Sequence, residues 1–387
     1  MYPLSPNSIR KKKAVLTLLF FSAHRFYLIL PLAITTYLLS GMLSLPCQSA
    51  EMKWFKGNVH AHSNRAPGGD TSTEEVIQWY FDHQYDFIAI TDHDQPPLKT
   101  MIKKNGKHQM LVIPGTEISI ERQHHIHMNA LNLKAPIIYN PDAEDSEKWK
   151  AFSRALLIKY PERKDIRRML YLLKNRSRIE NVMQQIRSGG GVAVLNHPSV
   201  AFSANEVKKI RGLNLFELMS PAHGDYLSEN MWDQLLTSKR RLYGLAVDDA
   251  HLFKTYDHPE QVQLNDPYDD FTYKDILVPG TRWIWAKTEE LTPEAIMAAI
   301  ENGNFYATNG IQLKTLDFSK SAELKIEVQP EPGVLYFIEF IGAKGRILKS
   351  VEGKKATYIP RGDEIYIRGK ITNSKKKIAF IQPVFLN

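Results

Sequence analysis

The chain has 387 residues, 43% hydrophobic and 24% charged, a balance that excludes wholesale disorder and allows one large domain with an appendage or two domains. Its net charge of +8 is partly local: residues 1–50 hold Arg10, Lys11, Lys12, Lys13 and Arg25 and no acid, so the other 337 residues carry +3, too little for a general nucleic-acid footprint. Cys47 is the only cysteine, which excludes an intrachain disulfide and a cysteine nucleophile in the body and leaves any metal site to histidine and carboxylate.

Residues 1–50 read as a targeting segment. The basic "RKKK" leads into a short apolar run, and residues 26–45 then supply 20 mostly apolar positions, long enough to cross a bilayer. Small residues follow at "CQSA", so the segment is expected to be a cleaved export signal or an uncleaved N-terminal anchor. Pro46 before Cys47 is a poor match to a lipidation site. The expected location is the periplasm or cell envelope, with membrane contact only through residues 26–45 if they are retained.

From residue 51 short apolar runs alternate with helical stretches. "STEEVIQWYFDHQ" has an N-cap serine, early acids and apolar residues at helical spacing. "YDFIAIT" is a buried strand ending at "DHD", and "MLVIPGTEISI" and "HIHMNALNL" are the next strands. Residues 136–180 differ: a polar start and then a basic helical run predict an insertion over the main fold. Its Leu156, Leu157, Met169, Leu170, Leu172 and Leu173 predict one buried side, leaving the basic face solvated rather than bound to anionic lipid or polymer. "IENVMQQIRSGG" is a helix with a glycine stop feeding the strand "GVAVLNHP"; "LNLFELMS" and "RLYGLAVDDAH" continue the alternation. The capped helix in "TPEAIMAAIENGNFYATNG" closes it. Strands alternating with helices predict a parallel α/β sheet or barrel. After about residue 311 short strands split by Gly, Pro and Lys predict a small antiparallel, sandwich-like β module.

Six of the 13 histidines sit at ends of predicted strands: His60, His62, His93, His127, His197 and His251. Asp92, Glu117, Asp248 and Asp249 stand in similar places. In a parallel α/β fold the C-terminal ends of successive strands converge on one face, where active sites form. His60 and His62, one residue apart in extended chain, point to the same side. Six imidazoles converging with acids and no cysteine describe a multi-metal site for Zn, Mn or Fe.

Taken in order, "HAH", "TDH", "GTE", "HMNAL", "NHP" and "DDAH" resemble the PHP (polymerase and histidinol phosphatase) superfamily of metallohydrolases, in particular exported members with a β-rich C-terminal module. The resemblance spans about residues 54–312 and implies a distorted (β/α)7 TIM-like barrel with up to three metals at one mouth, followed by the β module from residue 311. It implies that His60, His62, Glu117 and Asp249 hold a first metal. Glu117 would bridge to a second held by His127 and His197, and His93 and His251 would hold a third. Asp-x-His spacing selects Asp249 over Asp248, and the apolar stretch after it selects His127 over His124 and His125. The loop "SNRAPGGD" departs from the family pattern, and Asp70 is its candidate ligand for the third ion.

The expected chemistry is metal-assisted hydrolysis of an ester, most naturally a phosphoester on a small molecule or polymer, by a metal-bridging hydroxide. Glu117, Asp249 and Asp92 are the expected catalytic carboxylates, with Asp92 orienting a metal-bound histidine. His223 and Arg282 are candidate substrate contacts. The alternatives are hydrolysis of carboxyl or other non-phosphate esters, and a non-catalytic metal-containing binding or envelope protein.

Overall fold

The structure, a computed structural model, describes residues 51–121, 125–140, 147–221, 225–254, 277–318 and 323–386. The expected signal or anchor and His223 lie outside the described residues. Among those residues no helix is long and apolar enough to cross a membrane.

In chain order the elements are β1 (Lys53–Asn58), α1 (Thr73–Asp82), β2 (Phe87–Ile90), β3 (Met101–Asn105), β4 (His108–Glu121), β5 (Ile126–Leu131), α2 (Glu147–Lys159), α3 (Lys164–Ser188), β6 (Val192–Leu195), α4 (Ala204–Val207), β7 (Leu215–Met219), α5 (Asp225–Thr237) and β8 (Tyr243–Ala246). There follow β9 (Trp283–Thr288), α6 (Pro293–Glu301), β10 (Phe305–Thr308), β11 (Leu313–Asp317), β12 (Leu324–Val328), β13 (Tyr336–Gly342), β14 (Arg346–Glu352), β15 (Lys355–Tyr358), β16 (Tyr366–Asn373) and β17 (Ile378–Phe385).

Local sequence explains several of these. Ser72 and Glu75 form a capping box at α1, whose Val76, Ile77, Tyr80 and Phe81 are buried. Thr292 caps α6 and Pro293 opens it, where a missing N–H costs nothing. β2 is apolar and buried at all four positions because the sheet is covered on both faces there. Gly57 is needed for close packing: a Cβ would lie 2.3 Å from the Phe87 ring.

The fold is mixed α/β with one large sheet, and its strands run as β14-β13-β16-β17-β10-β9-β1-β2-β4-β5-β6-β7-β8 among the described residues. β1, β2 and β4 are parallel, as are β6, β7 and β8. β5 departs from the expected parallel order and runs antiparallel to both β4 and β6. Only residues 122–125 separate it from β4, and so short a connection can join only antiparallel strands. The far end of the sheet comes back to β17. The Gln382 amide donates to the Gly244 carbonyl at 2.8 Å and accepts the Gly244 N–H at 2.9 Å, standing in for a strand at the β8 edge.

The C-terminal strands are antiparallel, as the sequence predicts, and β11-β12-β15 form a second sheet. The two sheets share an apolar cluster that includes Leu324, Ile326, Phe340, Ile371 and Ile381. No break in the main sheet marks the expected boundary near residue 310, because β10 pairs directly with β17. α5 and β16 meet through buried charge. Arg368 gives Nε and Nη2 to Asp233, both at 2.8 Å, and Nη2 to Glu229 at 2.8 Å, while the Tyr366 hydroxyl donates to Asp233 at 2.9 Å.

The expected insertion ending at 180 is not bounded there. α3 is one helix of 25 residues through that point, since residues 164–188 contain neither Gly nor Pro to stop it. The expected buried side is mostly missing as well. α2 buries no residue, and in α3 burial begins at Leu170 and concentrates in Ile179, Val182, Met183 and Ile186 against the sheet. Leu157, Met169 and Leu173 are exposed, as are Phe152 and Ile158.

Candidate metal centre

Beyond β1 the extended chain continues through Ala61, which bridges in parallel to Ala250; His62 N donates to the Ala250 carbonyl and Asp249 N to the His60 carbonyl. These pairings place the two histidines and Asp249 side by side although almost 190 residues separate them in sequence. Glu117 arrives from β4, bridged to His93 just past β2. Two of the positions have left-handed backbone, His197 at φ 29° and Asp249 at φ 48°, a strained conformation for such residues that clusters at functional sites.

The donor atoms converge. His60 Nε2 lies 3.0 Å from His62 Nε2, 3.0 Å from Glu117 Oε2 and 3.1 Å from Asp249 Oδ1. His62 Nε2 lies 3.2 Å from Glu117 Oε2 and 3.1 Å from Asp249 Oδ1. All four residues are buried. Two further groups of ligand atoms gather beside this one, His93 with Glu117 and His127, and His62 with His93 and His251. His127 Nδ1 is 3.0 Å and His93 Nε2 3.3 Å from the Glu117 carboxylate, which therefore stands between the first two groups.

The donor chemistry fits a cation. His60 Nδ1 is hydrogen-bonded to Glu217 Oε1. With that proton committed, His60 Nε2 presents a bare lone pair to a second imidazole nitrogen and two carboxylate oxygens. Four such groups at these distances, closed from water, need positive charge between them, from a cation or from protons: burial alone would lower His60 and His62, but the Asp249 and Glu117 carboxylates hold both above the usual imidazole range. Burial alone would push the Glu117 and Asp249 carboxyls up, but the surrounding imidazoles hold both well below the usual carboxylate range. Burial pushes His93 down to about 4 and His251 down to about 3, which leaves their lone pairs free at neutral pH. His62 Nδ1, His93 Nδ1 and His197 Nδ1 are buried with no hydrogen-bond partner among the described residues.

Other expected residues are placed differently. His197 enters none of the three groups; its Nε2 is 3.8 Å from Glu117 Oε1. Asp70 enters none either. Its carboxylate accepts the backbone N–H of Phe253 at 2.9 Å and of Lys254 at 3.2 Å, pinning the chain that follows His251. The loop bends back to reach it: Gly68 has φ +81°, and Gly69 lies so close to the Ser63 carbonyl that a Cβ would sit 2.1 Å from it. Asp92 was expected to orient a histidine ring, but it accepts Ser63 N at 2.6 Å and Ser63 Oγ at 2.8 Å, fixing the residue after His62. Asp248 binds the N–H groups of Gly280, Thr281 and Arg282 and stays outside the cluster. Arg282 donates Nη1 to Thr281 Oγ1 at 3.3 Å, and its carbonyl accepts Asn58 Nδ2.

Supporting residues appear that sequence reading missed. Glu217, buried in β7, takes His60 Nδ1 on one oxygen and the His197 N–H on the other at 2.9 Å. Asn196 gives Nδ2 to Glu117 Oε1 at 2.7 Å and to Asn129 Oδ1 at 3.0 Å, and Asn58 Oδ1 accepts His60 N. The available signal was a carboxylate inside the otherwise apolar "LFELM", since burying a charge is costly unless it is paired. Glu217→Gln, which keeps shape but loses charge, is expected to weaken metal affinity about 10- to 100-fold while the melting transition stays close to wild type. Competition titration with a chromogenic chelator measures this, and an unchanged affinity would remove Glu217 from the site.

No family model matches the chain, and no curated protein does. Several solved structures are similar to it, including these two. The first is a two-domain protein from Bacteroides vulgatus ATCC 8482, described as containing a predicted PHP-like metal-dependent phosphoesterase, at 12% identity and TM-score 0.40, covering 83% of this chain and 91% of that one. The second is an amidohydrolase from Chromobacterium violaceum with bound sulfate and no metal, at 16% identity and TM-score 0.32, covering 50% of this chain and 87% of that one. The molecule is thus a mixed α/β protein built around a buried histidine–carboxylate cluster.

Proposed function

We propose that the chain is a metal-dependent hydrolase of the PHP type that cleaves phosphate esters, with its central sheet a distorted (β/α)7 barrel. The observation that carries this reading is the meeting of His60 Nε2, His62 Nε2, Glu117 Oε2 and Asp249 Oδ1 within 3.0–3.2 Å in a buried site. The ordered motifs supporting the resemblance supply the same residues. His60, His62, Glu117 and Asp249 would hold one divalent ion. Glu117, His93 and His127 would hold a second, with His197 beside them, and His62, His93 and His251 offer a third set.

Bound Zn, Mn or Fe ions supply Lewis acidity and make water a nucleophile near neutral pH. The chain does the rest. Glu217 keeps the His60 proton on Nδ1, Asn196 fixes the rotation of the Glu117 carboxylate, and Asp92 locks the turn after His62. Burial of the cluster excludes bulk water and strengthens these interactions. Export to the periplasm or envelope is part of the same proposal.

Loading the purified protein with Mn or Zn is expected to give two or three ions per chain by elemental analysis. Hydrolysis of p-nitrophenyl phosphate should be lost with a chelator and return with the ion. Protein that takes up no metal would overturn the site, and full occupancy without cleavage across phosphate and carboxyl esters would leave a binding protein instead.

A further inference from the structure

We propose that α2 and the first half of α3 form a docking surface for an anionic lipid bilayer at the rim of the metal site. Residues 147–178 hold eleven Lys or Arg against three Asp or Glu, a net +8. Residues 51–387 as a whole carry only +3, so this run stands well above the unit's average; a second basic run, residues 344–377 with eleven Lys or Arg against three Asp or Glu, lies in the C-terminal strands. A merely solvated basic face would not also expose large apolar groups. Here Phe152 is 50% exposed, Leu157 37%, Ile158 74%, Met169 42% and Leu173 36%, interleaved with Lys150, Arg154, Lys159 and Arg167. Apolar side chains that can enter the headgroup region, flanked by cations that can reach lipid phosphates, are what an interfacial helix presents.

The surface is placed at the rim by its own bonds. Arg168 donates to the Ala201 carbonyl at 2.9 Å and to Glu206 at 2.7 Å, in the segment that follows His197. α2 joins α3 through residues 160–163, so its C-terminal end sits at the same rim. A second copy of the chain is a poor occupant because two such surfaces repel one another. A soluble polyanion would use the cations and leave the apolar groups in water. Docking would present the mouth to esters carried at a membrane surface, a substrate class that rests on the hydrolase reading above.

Residues 51–387 form a compact unit of their own with its apolar cores inside it, and are used so that residues 1–50 cannot contribute. The protein is sedimented with vesicles of phosphatidylcholine alone and with added phosphatidylglycerol, at low and high salt. Binding is expected on the anionic vesicles only and should fall with salt. The pairs Leu157→Asp with Ile158→Asp and Lys150→Glu with Arg154→Glu should each weaken it about tenfold or more with melting unchanged. No binding to anionic vesicles, or binding indifferent to both pairs, overturns the proposal. So does full competition by a soluble polyphosphate together with indifference to the apolar pair. Vesicle binding by protein that hydrolyses no ester would overturn the hydrolase and leave the docking surface; ester hydrolysis without binding would do the reverse.

Discussion

Replacing Asp233 by alanine is expected to destabilise residues 51–387 by about 3–5 kcal/mol. The side chain of Arg368 is 1% exposed, and Asp233 takes two of its hydrogen bonds along with that of the Tyr366 hydroxyl. Removing the carboxylate leaves a guanidinium that cannot shed its proton and that, among the described residues, keeps Glu229 alone as a carboxylate partner. Lost burial of the short Asp side chain is minor beside that uncompensated charge. The partner substitution separates pairing from packing. Arg368→Met removes the charge itself and sets an apolar side chain where the guanidinium lay beside the Trp232 and Phe380 rings, so adding it to Asp233→Ala should recover part of the loss. Urea denaturation of the two single variants and the double measures the coupling. A single-variant loss below about 1 kcal/mol, the size of a surface pair, would show that the network does not hold α5 to β16.

That network was not legible in the sequence, and the reason is physical. Arg368 and Asp233 are 135 residues apart, and nothing local marks either as buried. The pairing of β10 with β17, which runs the C-terminal strands into the main sheet, is likewise set by contacts across about 70 residues. The metal cluster was legible because its chemistry is written locally. Histidines and acids punctuate the ends of apolar runs, and strand ends meet at one edge whatever the intervening helices do. Local writing failed where a polar group turns to backbone instead. Asp70 and Asp92 have the residue type and position of site groups, yet their oxygens are spent on the N–H groups of Phe253, Lys254 and Ser63. The continuity of α3 is present in its composition, but its basic first half and the segment "IENVMQQIRSGG" suggest two separate helices where there is one.

The largest effect on the proposed chemistry is expected at Glu117. Its two oxygens lie near His60, His62, His93 and His127 at 3.0–3.3 Å, and Asn196 holds one of them at 2.7 Å. Among the described residues it is the one carboxylate common to two of the candidate ion sites, so a change there reaches both. Glu117→Gln retains size and one acceptor oxygen while removing the charge that balances a divalent ion. The added amide N–H groups would also face imidazole lone pairs or the Asn196 amide, a mismatch in a buried site. Elemental analysis should show at least one ion per chain lost. Hydrolysis should fall by about a thousandfold, the size of several kcal/mol of lost transition-state stabilisation. Glu117→Asp, which restores charge at shorter reach, should recover ion content before it recovers rate, because rate depends on where the ions sit and content only on their being held. Glu117→Gln protein with its full complement of ions and hydrolysis within about tenfold of wild type would show that the two sites do not share this carboxylate.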